Sequence, residues 1–234
     1  MPEKLKRQPL SEWLKLGNKW FKSKDYQKAI ESYEKVVEQD PGNSVAWSNM
    51  GVAYENLGNY EKEVECCLRA TEADPKDSWA FYNLGVGYGK LGKYQQAIES
   101  YERALRIEPC DKTSFFNMGL MYTKIGNYSQ AIEAWEKALK IVPKDIKILF
   151  NIALAYTKLA KDEKAIEIYQ RIIAIEPTNV NARIKIGISY LNLENIKNAI
   201  ENFQLVLKID QNNKLATDYL RKIKQNYKLG NIEI

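Results

Sequence analysis

The 234-residue chain contains no histidine. That absence excludes Ser-His-Asp and Cys-His catalysis, histidine-ligated zinc and imidazole pH switching together. Cysteine is nearly absent as well, with only Cys66, Cys67 and Cys110. An odd count with one adjacent pair makes a poor disulfide framework and fits a reducing compartment. The three thiols read as small apolar fillers or surface groups. No run of roughly 18 apolar residues occurs, so no transmembrane span is expected. The opening stretch MPEKLKRQPLSEW is basic but lacks an apolar stretch behind it, so no secretory signal is read and a cytoplasmic location is expected. A basic body is missing too. The net charge of +5 comes from the ends: Lys4, Lys6 and Arg7 outweigh Glu3, and Lys214, Arg221, Lys222, Lys224 and Lys228 outweigh Asp218 and Glu233. Residues 10–213 are neutral. A nucleic-acid binder spreads a basic stripe along its body, so nucleic acid is not an expected partner.

What the chain does have is a 34-residue period. Glycines stand at Gly17, Gly51, Gly85, Gly119 and Gly187, with Ala153 in the one gap. Prolines follow the same spacing at Pro41, Pro75, Pro109, Pro143 and Pro177. Between them come Ala29, Ala97, Ala131, Ala165 and Ala199, each followed four residues later by Tyr33, Tyr101, Trp135, Tyr169 or Phe203. The chain on these residues resembles the tetratricopeptide repeat family. The resemblance covers residues 10–213 as six repeats: 10–43, 44–77, 78–111, 112–145, 146–179 and 180–213. It implies an all-α fold, a right-handed superhelical α-solenoid of six helix-turn-helix repeats.

The residues give the same answer physically. Numbering each repeat from 1, positions 4, 7, 8 and 11 carry an apolar i, i+3, i+4, i+7 stripe, hence an amphipathic helix A. In the second repeat these are Trp47, Met50, Gly51 and Tyr54. Gly58, Gly92 and Gly126 at position 15 suit the left-handed residue that ends a helix. A second stripe, such as Ala97, Ile98, Tyr101, Ala104 and Leu105, gives helix B, and proline at 32 forbids its continuation. A glycine inside helix A costs about 1 kcal/mol relative to alanine. With Ala at 20, it is expected to let the two helices approach closely. Residues 214–234 read as a capping helix and tail, with Ala216, Leu220, Ile223 and Tyr227 packing back on the sixth repeat and Arg221 and Lys224 facing no partner. Residues 1–9 read as a frayed tail.

Several positions depart from the pattern. Glu63 replaces alanine at position 20 of the second repeat, and is expected to splay its helix pair or reach a cation. Arg183 replaces the aromatic at position 4 of the sixth repeat, and Gln211 replaces the last proline. The fifth repeat has Ala153 and Ala160 where glycines belong.

In this architecture the concave wall is lined by helix A positions 2, 5, 6, 9, 12 and 13. Position 6 gives Asn49, Asn83, Asn117 and Asn151, flanked by Lys15 and Lys185. Tyr82, Phe116 and Phe150 stand at position 5, with Trp79 at position 2 nearby. Position 9 gives Val52, Val86, Leu120, Leu154 and Ile188; position 13 gives Lys22, Lys90, Lys124 and Lys158. None of these belongs to the core stripe, so an apolar and aromatic row there implies a partner surface. The lysine row is a solvated edge or favours an acidic peptide. One carboxamide offers both a donor and an acceptor, so an asparagine per repeat can hold an extended backbone without reading its sequence. The ladder resembles the repeat domain of O-linked N-acetylglucosamine transferases, which implies backbone binding in the groove. Nothing here resembles their transferase domain. Co-chaperones of the repeat family clamp a terminal carboxylate with two asparagines and three cations. Asn18 and Asn49 match the amides, but Leu14, Trp79 and Asn83 stand at the cation positions, so no such recognition is expected.

The expected function is a non-enzymatic scaffold that binds a protein or extended peptide, without cofactor, metal or membrane insertion. The alternative is self-assembly into a homo-oligomer through groove-to-surface contacts. Glu61, Glu63 and Glu65 lie at helical spacing with no catalytic partner, and Gly85, Gly87 and Gly89 follow no strand, so neither makes an active site or a nucleotide fingerprint.

Overall fold

A computed structural model describes residues 9–227. The described residues form thirteen α-helices and no strands. They are α1 (Leu10–Lys22), α2 (Tyr26–Gln39), α3 (Ser44–Asn56), α4 (Tyr60–Ala73), α5 (Ser78–Lys90), α6 (Tyr94–Ile107), α7 (Lys112–Lys124), α8 (Tyr128–Ile141), α9 (Ile146–Lys158), α10 (Asp162–Ile175), α11 (Val180–Asn192), α12 (Ile196–Ile209) and α13 (Lys214–Tyr227). They fall into two compact units, Met1–Ile125 and Gly126–Ile234, divided at the turn of the fourth repeat. In each unit consecutive helices pack on one another, and in the first unit α1, α3, α5 and α7 also touch in order. This is the all-α solenoid packing the 34-residue period predicts. The expected tail at 1–9 lies outside the described residues except for Pro9, as does the tail from 228 onward.

The helix boundaries have local chemical causes. Asp25, Asn43, Asn59, Asp77, Asp111, Asn127, Asp145, Asn179 and Asn195 each accept a first-turn backbone N–H through the side chain. Helix A ends in a left-handed residue at position 15. Gly58, Gly92 and Gly126 have φ of 74°, 73° and 78°. Lys24, Ala160 and Glu194 take the same conformation at 63°, 52° and 55° without being glycine. The next backbone N–H then donates back to position 11, as from Asn59 to Tyr54 and from Lys161 to Tyr156.

The repeated glycine has a more specific task than bringing two helix backbones together. A Cβ on Gly17 would lie 2.4 Å from Cε1 of Tyr33, and one on Gly85 would lie 2.6 Å from Cε1 of Tyr101. In the second unit a Cβ on Gly187 would lie 2.8 Å from the Phe203 ring. The ring at position 24 fills the place of the missing side chain, which buries it completely. In the second repeat Cys67 takes the ring's place, 2.9 Å from the Gly51 Cβ position. Cys66 and Cys67 are buried fillers and Cys110 is exposed. Burial pushes the Cys66 thiol up to about 12 and Cys67 well above its ordinary value, so neither is a nucleophile at neutral pH.

Two expectations need correction. Glu63 neither splays its helices nor reaches a cation: its backbone carbonyl is 3.3 Å from the Gly51 Cβ position, and no ion pair to it exists among the described residues. It is 1% exposed. Tyr227 does not join the capping seam. Ala216, Leu220 and Ile223 of α13 bury against Ile184, Ala199, Phe203 and Val206, whereas Tyr227, the last helical residue, is 50% exposed. Arg221 is exposed as the pattern requires, and Lys224 is half-buried.

Arg183 follows a rule that its residue type conceals. Trp47 at position 4 donates its indole N–H to the carbonyl of Pro41 at 2.9 Å. Arg183, at position 4 of the sixth repeat, donates from Nη2 to the carbonyl of Pro177 at 3.1 Å. Both side chains satisfy the equivalent orphan carbonyl past the end of helix B, and Trp47 also packs against the core of its unit.

Candidate functional site

The asparagines expected to form a ladder are held in four different ways. In the first unit, Asn49 Nδ2 donates to Oδ1 of Asn18 at 3.1 Å, and that oxygen also accepts the Tyr33 hydroxyl at 2.8 Å. Asn117 Nδ2 donates to the Tyr82 hydroxyl at 3.2 Å. Asn83 is 4% exposed and its Nδ2 has no hydrogen-bond partner. In the second unit, Asn151 Nδ2 turns onto its own helix and donates to the carbonyl of Lys147 at 2.8 Å.

The aromatics of the first unit are clustered. Trp79 stacks on Tyr82 with centroids 5.2 Å apart and planes 16° from parallel, although Trp79 is 53% exposed. Tyr82 in turn lies 5.9 Å from Tyr101. Phe116 is half-buried on α7. Burial raises the pKa of Tyr82, opposed by its hydrogen bond with Asn117. In the second unit Phe150 meets Tyr169 edge-on at 5.4 Å, and Leu154 is half-buried. Lys90, Lys124 and Lys158 are exposed, and Lys90 Nζ sits 5.8 Å from the Tyr60 ring.

Asn83, Asn117, Trp79, Tyr82, Leu120 and Lys90 line one cavity of about 490 Å³ between α3, α5 and α7. Six of the expected site residues therefore meet in one place. Asn49 and Phe116 do not line it. Glu55 and Gly89, both at position 12, line it too, as do the position-24 ring of Tyr101 and Met121, which no groove position singled out. A Cβ on Gly89 would lie 3.0 Å from Sδ of Met121, so this mid-helix glycine leaves room for that sulfur. A glycine outside the repeat's own glycine positions is the signal that points to Met121.

The cavity is a largely apolar recess with a single unpaired amide donor, and it carries one cation, Lys90, and one carboxylate, Glu55. It can hold an apolar or aromatic side chain while satisfying one backbone carbonyl. Among the described residues no cluster of three or more His, Cys, Asp or Glu could hold a metal. No described helix is long and apolar enough to cross a membrane.

Comparisons place this geometry in a family. A tetratricopeptide repeat model matches residues 21–84 and a second matches 78–109. A third, described as the cytochrome c-type biogenesis protein H TPR domain, matches 105–216. A search among curated proteins found no match. Among solved structures, MamA is 26% identical and superposes with a TM-score of 0.69 over 74% of this chain and 94% of its own. YrrB, described as a TPR protein with an unusual peptide-binding site, is 19% identical, with a TM-score of 0.70 over 82% of this chain and 99% of its own. The C-terminal part of a TPR repeat-containing protein from Cytophaga hutchinsonii is 17% identical, with a TM-score of 0.77 over 91% of this chain and 85% of its own. The chain belongs to the tetratricopeptide repeat family.

Proposed function

We propose that this protein-interaction scaffold works without catalysis and binds an extended peptide across the helix A faces of its repeats. The observation that carries the reading is the 490 Å³ cavity with the unpartnered Asn83 amide in its wall. A buried donor left without a partner costs about 1–3 kcal/mol, and a peptide carbonyl would remove that cost once the Asn83 side chain turns its amide into the cavity. Asn49, Asn117 and Asn151 would serve as further rungs by exchanging their present partners for peptide groups. Each such exchange gains little, since a net hydrogen bond is worth roughly 0.5–1.5 kcal/mol. Trp79, Tyr82, Phe116 and Leu120 in the first unit, and Phe150 and Leu154 in the second, would supply most of the affinity. Micromolar binding corresponds to about 8 kcal/mol. Lys90, Lys124 and Lys158 would contribute to steering. YrrB, described as having a peptide-binding site, shares the fold, and supports the reading by analogy.

Selection from a displayed library of random 12-residue peptides tests this. The best binder is then titrated calorimetrically against wild type and an Asn83→Ala, Phe116→Ala, Asn117→Ala triple variant. The triple variant is expected to lose at least about tenfold in affinity, or 1.4 kcal/mol. Equal affinity, with helicity confirmed unchanged, sinks the reading.

Self-assembly is the second reading, favoured by Leu215 and Tyr227, which α13 leaves 49% and 50% exposed. Light scattering over a concentration series decides it, because a strict monomer excludes it.

A further inference from the structure

The Trp79–Tyr82 stack lines a second cavity as well, of about 350 Å³. Its other walls are Ser78, Ala104, Glu108, Asp111 and Thr113. The first cavity has one carboxylate, Glu55, and one cation, Lys90, in its wall; the second has two carboxylates and no cation among its lining residues. Glu108 Oε2 accepts from Ser78 Oγ at 3.1 Å and forms no ion pair with a described residue. Asp111 caps α7, accepting from the backbone of Thr113 and Ser114. Burial works against its ionisation, but these hydrogen bonds and that of the Ser114 hydroxyl outweigh it and leave its pKa lowered. Asp111 therefore stays charged at neutral pH.

An occupant must meet two demands at once. It must cover the exposed indole face of Trp79, and it must not strip water from two carboxylates without compensating them. An apolar side chain meets the first demand only, and an acidic one meets neither. A cation with an apolar or planar stem meets both, because the aromatic face and the carboxylates attract the same charge. We propose that this cavity is a subsite for a basic side chain, arginine or lysine, of the bound peptide. The proposal rests on the peptide-binding reading above, with Asn83 in the adjoining cavity holding a backbone carbonyl of the same peptide. Arginine fits better than lysine, since its planar guanidinium stacks on indole and forks to two carboxylates.

The test uses Nα-acetyl amides of arginine, lysine, norleucine and glutamate, titrated while the indole N–H signals are followed by nuclear magnetic resonance. The Trp79 signal is assigned with Trp79→Phe. It is expected to shift saturably with the arginine amide, more weakly with lysine, and not with norleucine or glutamate. A Glu108→Gln, Asp111→Asn variant keeps an asparagine cap on α7 and should weaken the arginine response roughly tenfold. Glu108→Gln alone, whose side chain accepts no helix-capping N–H, should weaken it in the same direction. Equal shifts with norleucine, or an unchanged response in both variants, overturns the proposal. The amide probes need no extended groove, so this failure is separate from that of the peptide reading. If the probes bind and no displayed peptide does, the groove reading fails and the cationic cavity stands.

Discussion

The carboxyl group of Glu63 occupies the space that the missing side chain of Gly87 leaves open. A Cβ at residue 87 would lie 3.1 Å from Glu63 Cδ and 3.3 Å from its Oε1. Glu63 comes from helix B of the second repeat and Gly87 from helix A of the third, so the pair forms part of the junction between repeats. One Glu63 oxygen, Oε2, has no hydrogen-bond partner.

Stability should depend on pH through Glu63. Burial pushes its pKa from 4.5 up to about 8; the nearby charge of Glu55 adds to the shift and Lys90 opposes it. Cys67 on its own helix and Tyr101 on α6 also face it, both neutral at physiological pH. The folded protein thus holds a proton that the unfolded chain releases. Its contribution is complete below about pH 4.5 and is lost as pH rises to about 8. Denaturant midpoints measured from pH 5 to pH 8.5 should fall, and Glu63→Gln, which keeps the shape and stays neutral, should flatten the slope. An equal slope in the variant assigns the pH dependence to another group.

Gly87→Ala should destabilise the protein by about 1–3 kcal/mol, although alanine is the better helix former. The added methyl meets Val64 Cγ2 at 2.8 Å as well as the Glu63 carboxyl. Adding Glu63→Ala should restore part of the loss, and Val64 keeps the rest. A double-mutant cycle by urea unfolding measures the coupling; strict additivity would show that the two residues do not share this space.

Ala160→Gly should stabilise the protein by about 1 kcal/mol. Ala160 has φ of 52°, where its Cβ crowds the following carbonyl, while Gly58, Gly92 and Gly126 hold the equivalent position without a Cβ. Chemical unfolding of the two proteins side by side checks this. A loss of stability would mean that the freedom glycine adds to the unfolded chain outweighs the strain.

Arg183→Trp should leave stability within about 0.5 kcal/mol, because the indole at Trp47 already makes the same bond to the preceding proline carbonyl. Arg183→Met keeps the apolar stem but loses the donor, and should cost about 1 kcal/mol. Thermal melts of both variants separate the bond from the packing. An equal cost in the two would leave no part for the hydrogen bond.

The helices were legible because their causes are local. Apolar spacing, an Asp or Asn cap and a left-handed residue at position 15 each act within a few residues, and the period repeats the same local decisions. The asparagine row was legible as a row, yet its four members differ. Asn49 meets Asn18 from the preceding repeat, Asn117 meets Tyr82, Asn151 folds onto its own helix, and Asn83 is left unpaired. Each outcome depends on a neighbour about one repeat away or on a free rotamer, and no position count distinguishes them. Tyr227 shows the same limit: its place in the heptad-like stripe is right, but it ends the helix.

By itself the sequence determined an all-α chain of 34-residue helical hairpins, the recurring glycine in helix A, and the capping helix after the sixth repeat, since hydrophobic periodicity and capping act over short stretches. Only the tertiary structure decided that Glu63 is buried against Gly87, that Asn83 keeps an unpartnered donor, and that Glu108 and Asp111 join Trp79 in one cavity. These are contacts between helices. They depend on the distance between side chains about 20–30 residues apart in the chain, and burial there changes the cost of a charge or a donor far more than local sequence does.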